Sequence, residues 1–503
     1  MIQEYKLIIN FLEKAKIDHS EFFSQIDFNG KKTKLTTLYE KIKENDFKSL
    51  NELEEVTYGL ADQSWKFKKL ISRFQEKLVN TLFFVDSNSP LFSDRAKAYY
   101  VCARRTVLAR MLVERGARKL AVNLSEITLP VALKYEFTDL GIYLSKFLMK
   151  HYGASQIDKN KFKNYKTIFR NQTRLESNEL VHEIFAAEIN FEINSSKGNL
   201  SENINSDFWK IKVIEATRLI NENPTIEILL TCSTIIFEYY KTIRDFGSYR
   251  EFTFLILDKI LNKPFLSVIS LEIIITAQLR ITMMTKDNIT AINLQRTYFD
   301  SLNVGNYNWY VINYYFILTL FHTKEYQLGS NYLGSTMHFS TFSKQLNVIQ
   351  EIFYILQAYA HFLIKVSKIK DPDDTGDFRI NKFINQVPDH SKDKQGTNIS
   401  IILVQILIFL ADKKYSKIID RMESLNLYSY RHLKKDENFR SQCFIKMISE
   451  MVRADFRKQG TLFRTEKFLN KLKAVPIDTF PATAETEIIP YEDLWEMVIE
   501  RLD

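Results

Sequence analysis

Residues 241–256 read KTIRDFGSYREFTFLI, residues 282–297 read TMMTKDNITAINLQRT, and residues 320–335 read LFHTKEYQLGSNYLGS. Each is an apolar stretch broken by a short polar turn, at Gly247-Ser248-Tyr249, at Lys286-Asp287-Asn288 and at Lys324-Glu325-Tyr326. Tyr249, Asn288 and Tyr326 are spaced by 39 and 38 residues, within the roughly 34- to 47-residue periods of two-helix repeats. Repetition at that length predicts stacked helix pairs over residues 223–344, and such stacks present extended binding surfaces.

The rest of the 503-residue chain is composed to match. Its 13 Gly and 9 Pro fall well below average usage of roughly 7% and 5%, so helix breakers are scarce and the chain reads as almost wholly α-helical. The 38 Phe and 25 Tyr supply bulky contacts between helices. Upstream, Ile2, Tyr5, Ile8, Ile9 and Leu12 form an apolar stripe at 3- and 4-residue spacing. Ser49-Leu50-Asn51-Glu52 has the form of a capping box, and Asp86-Ser87-Asn88-Ser89-Pro90 closes the section as a turn. Gly116 and Gly153 stand 37 residues apart at predicted turns, and Pro130 is expected to kink or start a helix near Leu129. A long helix over 159–194 precedes a polar stretch, 194–207, after which Asn223 and Pro224 read as N-cap and first helical residue. Downstream, a helix over 346–368 leads into polar loops at 370–377 and 388–397. Two more pairs turn at 412–415 and 458–460, and Pro476, Pro481 and Pro490 keep the chain extended before a last helix over 491–502. The predicted organisation is an N-terminal helical region (1–90), a first set of repeats (91–193), a polar joint (194–222), and main repeats (223–475) with insertions at 370–397. A Pro-containing segment with an acidic helix (476–503) ends the chain.

Charge and cysteine usage bound the setting. The 69 Lys and Arg are interleaved with 61 Asp and Glu, for a net charge of +8, which permits an anionic partner without requiring one. Cys102, Cys232 and Cys443 are scattered among apolar residues, the usage of a reducing compartment. Residues 1–18 carry charges throughout, unlike a secretory signal, and the longest apolar run, 399–411, spans 13 residues, short of the roughly 20 that cross a bilayer. These features predict a cytoplasmic protein with no membrane partner.

Enzyme signatures fail residue by residue. His182-Glu183 is followed by Ala186 where a zinc-binding helix needs its second His. Cys102 has Leu108 where a thiolate phosphate loop needs a cation, and Gly30-Lys31-Lys32-Thr33 lacks the leading glycine of a nucleotide loop. Asp371, Asp373, Thr375 and Gly376 echo half a calcium loop, but Lys382 stands where the bidentate Glu belongs. The eight His are scattered with no pair at helical ligand spacing. No catalytic residue, metal or cofactor is predicted.

Two charged segments are the candidate binding elements. Residues 95–119 carry Arg95, Lys97, Arg104, Arg105, Arg110, Arg115, Arg118 and Lys119 against Glu114 alone, with Tyr99 and Tyr100 nearby. This window is either a solvated face or a cationic patch for phosphate or an acidic peptide. Residues 484–503 hold seven acids and one base. There Tyr491, Leu494, Trp495, Val498 and Leu502 form an apolar stripe, which reads as a capping helix for the last repeat or as a docking helix that lies in a groove.

Tyr326, Gly329 and Leu333 give an aromatic, a small residue three positions on and a bulky one four beyond that. Asn288, Ala291 and Gln295 follow the pattern in part, and Gly116 with Ala121 is similar. At Tyr415, Ile418 and Met422 the small residue is lost. On these positions the chain resembles tetratricopeptide-like repeat proteins over about 95–154 and 223–475. The resemblance implies an all-α, right-handed superhelical solenoid of antiparallel helix pairs, capped at its C-terminus, whose groove takes a protein or peptide and which carries no catalytic residue. The leading expectation is therefore a non-enzymatic interaction scaffold; a nucleic-acid-binding helical repeat using residues 95–119 is the alternative.

Overall fold

The computed structural model describes residues 2–14, 33–45, 47, 49–58, 64–82, 93–195, 207–265, 267–370, 380, 383, 397–432, 438–479, 484 and 486–502. Among these residues the fold is all-helical, with no strand. The expected turn at 86–90 and the loops at 371–377 and 388–396 lie outside the described residues.

The chain divides into two compact units, residues 1–170 and residues 171–503. In the first, α1 (Ile2–Lys14), α2 (Lys34–Glu44), α3 (Leu50–Tyr58) and α4 (Ser64–Leu82) enclose Ile9, Leu12, Leu38, Ile42, Leu53 and Phe74. The stripe read from Ile2 to Leu12 is the buried face of α1, and Ser49 caps α3 by accepting from the Glu52 amide at 3.3 Å. A separate core, around Cys102, Val122, Leu129, Leu144 and Leu148, joins α5 (Asp94–Glu114), α6 (Arg118–Lys134) and α7 (Thr138–Lys150) to the first turns of α8 (Lys159–Ser195).

The second unit contains α9 (Asp207–Glu222), α10 (Ile226–Ile243), α11 (Phe246–Leu261), α12 (Val268–Thr285), α13 (Asn288–Tyr298), α14 (Tyr307–His322), α15 (Tyr326–Met337) and α16 (Asn347–Lys365). These are followed by α17 (Thr397–Ala411), α18 (Tyr415–His432), α19 (Phe439–Arg453), α20 (Lys458–Lys473) and α21 (Tyr491–Glu500). Successive helices pack on one another, and α12 also packs directly on α14, as α14 does on α16. Central helices are accordingly apolar all round: residues 398–410 of α17 are all buried. By length and composition α12 could cross a bilayer, yet Leu271, Ile274, Leu279 and Met283 are buried in the protein core, which is where its apolar surface is spent.

One turn recurs through both units. Gly116, Glu136, Arg244, Lys286, Lys324, Ser367, Lys413 and Asp455 are all left-handed, with φ between 53° and 80°. In the three quoted stretches the next residue's amide reaches back over the helix end: Asp245 to Tyr240, Asp287 to Thr282 and Glu325 to Leu320, at 3.1, 2.8 and 2.8 Å. That bond closes a Schellman turn. Asp245 and Asp287 then cap the following helix, each accepting an amide three residues on at 3.0 Å. From Arg244 onward these left-handed residues are spaced by 42, 38, 43, 46 and 42 residues, longer than the roughly 34 of a tetratricopeptide repeat.

This geometry corrects several expectations. The first quoted turn sits at Arg244-Asp245, and Gly247 lies inside α11. Pro130 lies within α6, which continues to Lys134; the break comes at Tyr135-Glu136-Phe137, where no glycine marks it. Gly153 lies in a π-helical turn, His151–Ser155, with its α-carbon hydrogen side against the Phe162 ring, and the chain turns only at Gln156 to Asp158. Thr225, not Asn223, caps α10, and residues 207–222 of the expected joint form α9. Gly329 is needed for a close approach: a Cβ there would stand 2.7 Å from the Phe321 ring. At the other end of α14, the fully buried Glu272 carboxylate accepts from the Asn303 amide at 3.1 Å and the Asn308 side chain at 2.9 Å, tying the turn before that helix.

A left-handed L-residue costs about 1–2 kcal/mol, which glycine avoids at some entropic expense. Lys286→Gly is expected to raise unfolding stability by about 0.5 kcal/mol, and Lys286→Val to lower it by about 1–2 kcal/mol. Urea titration of the two variants checks the sign of each.

Candidate interaction surfaces

The acidic C-terminal segment binds the chain's own second unit. Tyr491, Leu494, Trp495, Met497 and Val498 are buried, so the stripe read from the sequence is an apolar face that has found its partner. Tyr491 stacks on Phe444 of α19 with centroids 4.4 Å apart, and Trp495 meets the same ring edge-on at 6.2 Å. Before the helix, Ser400 of α17 donates to the Thr486 carbonyl at 2.6 Å and His322 Nε2 donates to the Glu487 carbonyl at 2.7 Å. The segment therefore reaches back 165 residues along the chain, far beyond the last helix pair that a terminal cap would cover.

Its described acids each meet a cation of the second unit. Asp493 accepts from Lys324 at 2.9 Å, Glu500 pairs with Lys368 at 2.9 Å, and Arg501 donates to the Lys365 carbonyl. At the centre lies Arg440, 1% exposed. Its guanidinium forks onto Glu487 at 2.7 and 3.0 Å and onto Glu492 at 2.9 and 2.7 Å, and it also donates to the Leu472 and Val475 carbonyls. Glu487 in turn accepts the Tyr491 amide at 3.2 Å and so caps α21. Burial disfavours the charged form of Glu492, but the hydrogen bonds from Arg440 outweigh it and hold that carboxyl below the usual carboxylate range. Burial likewise lowers His322, to about 4.

Fully burying five large apolar side chains is worth on the order of 10 kcal/mol, so the segment is an integral part of the second unit. Sequence reading singled out the stripe and the acids but missed Arg440, His322 and Lys324. One signal was available: Arg440 precedes Cys443, Phe444, Met447 and Met451 at helical spacing, a charge set into the apolar face of its own helix.

The basic window is dispersed. Arg95 donates to the Tyr135 carbonyl at 3.2 Å and lies over the Phe137 ring, Lys97 pairs with Asp94, and Arg110 pairs with Glu114. Arg118 donates to His151 Nδ1 at 3.3 Å. Arg105 is half-buried, whereas Arg104, Arg110, Arg115, Arg118 and Lys119 are exposed. On α5 the residues opposite Cys102, Thr106 and Ala109 form one outward row, from Tyr100 and Arg104 through Val107, Leu108 and Met111 to Arg115. Val107 and Met111 are 60% and 55% exposed. In the same unit Glu126 accepts from Tyr152, Lys161 and Tyr165 at 2.8, 2.9 and 3.2 Å, which fastens α6 to the start of α8.

Compared with known protein families, with curated proteins and with solved structures, the chain finds no match.

Two measurements probe the docked segment. Arg440→Met leaves Glu487 buried without its cation and is expected to cost about 3–5 kcal/mol, with Arg440→Met/Glu487→Gln recovering part of the loss; guanidinium unfolding of single and double variants reads this. His322 is neutral in the folded state and has its pKa lowered to about 4 by burial, so its contribution is intact above about pH 6.5 and is lost as pH falls toward 4. At pH 5 that loss is about 2 kcal/mol, and His322→Gln is expected to flatten the stability profile between pH 7 and pH 5 by that amount.

Proposed function

We propose that the chain is a non-enzymatic interaction scaffold, a tetratricopeptide-like helical repeat working in the cytoplasm. The observation that supports this most directly is the docking of the 486–502 segment: helices α14, α16, α17 and α19 hold an acidic, aromatic helix through stacked rings, paired charges and carbonyl contacts. Recognition of an amphipathic helix by packed helices is a recurrent mode of peptide binding. Here that receptor surface is taken by the chain itself, so the partner docks on a face left open. The three free cysteines are buried, which fits a reducing compartment.

The exposed Arg104, Arg110, Arg115, Arg118 and Lys119 keep nucleic acid as the second reading. Affinity purification of the full chain from its host, with and without nuclease and at two salt concentrations, separates the two. A protein partner that co-elutes in fixed ratio after nuclease treatment supports the scaffold. Capture that disappears with nuclease, or that falls about a thousandfold in affinity between 50 and 200 mM salt, overturns it in favour of nucleic acid.

A further inference from the structure

The outward face of α5 is built as half of a helix-helix interface. A helix at the edge of a packed array ordinarily turns apolar residues inward and polar ones outward. Helix α5 is apolar on both sides: Cys102 and Ala109 face the core, while Val107, Leu108 and Met111 are 60%, 44% and 55% exposed. Arg104 and Arg115 bracket this cluster in the same row. They are eleven residues apart, three helical turns or roughly 16 Å, so two cations frame an apolar patch about one turn long.

We propose that this face docks an amphipathic helix of a partner protein, with apolar residues over the central turn and carboxylates about three turns apart that meet Arg104 and Arg115. This rests on the scaffold reading above and names the class of its partner. Charge complementarity selects the occupant. A second copy of α5 would set Arg104 against Arg115, or each against itself, in either orientation, and like charges repel. An anionic membrane takes up apolar side chains at the centre of a face with cations at its flanks, whereas here the arginines lie in line with the apolar row. A phosphate backbone gains little from Val107, Leu108 and Met111, and basic and aromatic residues do not alternate as a stacking platform requires.

The test uses the full chain and three fluorescein-labelled synthetic 20-residue helical peptides. One carries Leu at the stripe positions with Glu eleven residues apart; the second replaces those Glu by Lys; the third replaces the Leu by Ser. Vesicles of phosphatidylserine and phosphatidylcholine and a 20-nucleotide RNA serve as the other probes. Anisotropy titration is expected to show saturable binding of the Glu peptide at least tenfold tighter than either other peptide. Arg104→Glu/Arg115→Glu is expected to reverse the preference toward the Lys peptide, and Met111→Asp to weaken both. All the substituted side chains are exposed, and circular dichroism with thermal melts confirms that each variant is folded. Equal binding of the three peptides, no binding of any, or a charge-reversed variant that keeps the wild-type order overturns the proposal, as does capture of vesicles or RNA in place of the Glu peptide. The two readings fail separately: a host protein that co-elutes equally with wild type and with Met111→Asp leaves the scaffold standing and removes this face.

Discussion

A single guanidinium holds the end of the chain in place. Arg440 lies among apolar side chains, and a buried cation is tolerated only when its hydrogen-bonding capacity is met. It is met here by four groups: two carboxylates from the segment it anchors and two carbonyls at and just beyond the end of α20. Forked Arg–carboxylate pairs fix both distance and plane, so Glu487 and Glu492 set where the segment crosses and in what register. Once Glu487 is placed, its second role as cap for the Tyr491 amide starts the final helix at one position. Tyr491 and Trp495 then reach Phe444 with no freedom left to slide.

The helical fold was legible because it follows from bulk properties. Few breakers and abundant apolar residues at helical spacing leave little else for the chain to form, and the terminal stripe was visible for the same reason. Turn register was not legible, because it depends on backbone conformation that side chains only bias. Glycine was the natural marker for a left-handed residue, so Gly247 and Gly153 drew the boundaries away from Arg244 and Asp158. Among the described residues most left-handed positions are instead Lys, Arg, Glu, Ser or Asp. Their strain is borne by the paired backbone bonds of the Schellman turn and, after Arg244 and Lys286, by the Asp245 and Asp287 caps. Pro130 misled in the opposite sense, since α6 absorbs it near its C-terminal end.

The charged surfaces divide along a similar line. Acid and base counts along the sequence identified both segments, but a count carries no information on pairing. Glu487, Glu492, Asp493 and Glu500 are matched to Arg440, Lys324 and Lys368, residues far away in sequence, and only the fold brings them together. Within residues 95–119, by contrast, several bases are consumed locally, by Asp94, Glu114, the Tyr135 carbonyl and His151. That Tyr100, Arg104, Val107, Leu108, Met111 and Arg115 share one outward row is a property of helix phase.

The difference in where the charges sit separates the two faces by kind. On the C-terminal segment the central ion group is inside, and undocking would leave Arg440 without its carboxylates in an apolar surround, a state costly enough to make the contact part of the fold. On α5 the arginines are exposed before any partner arrives, so an approaching carboxylate gives up little hydration, and rim charges of this sort govern encounter and selectivity more than residence. The apolar residues between them supply the burial that holds a complex once formed. A surface with its charges outside and its apolar residues already exposed is therefore suited to a contact that forms and parts, whereas the 486–502 segment is suited to one that stays.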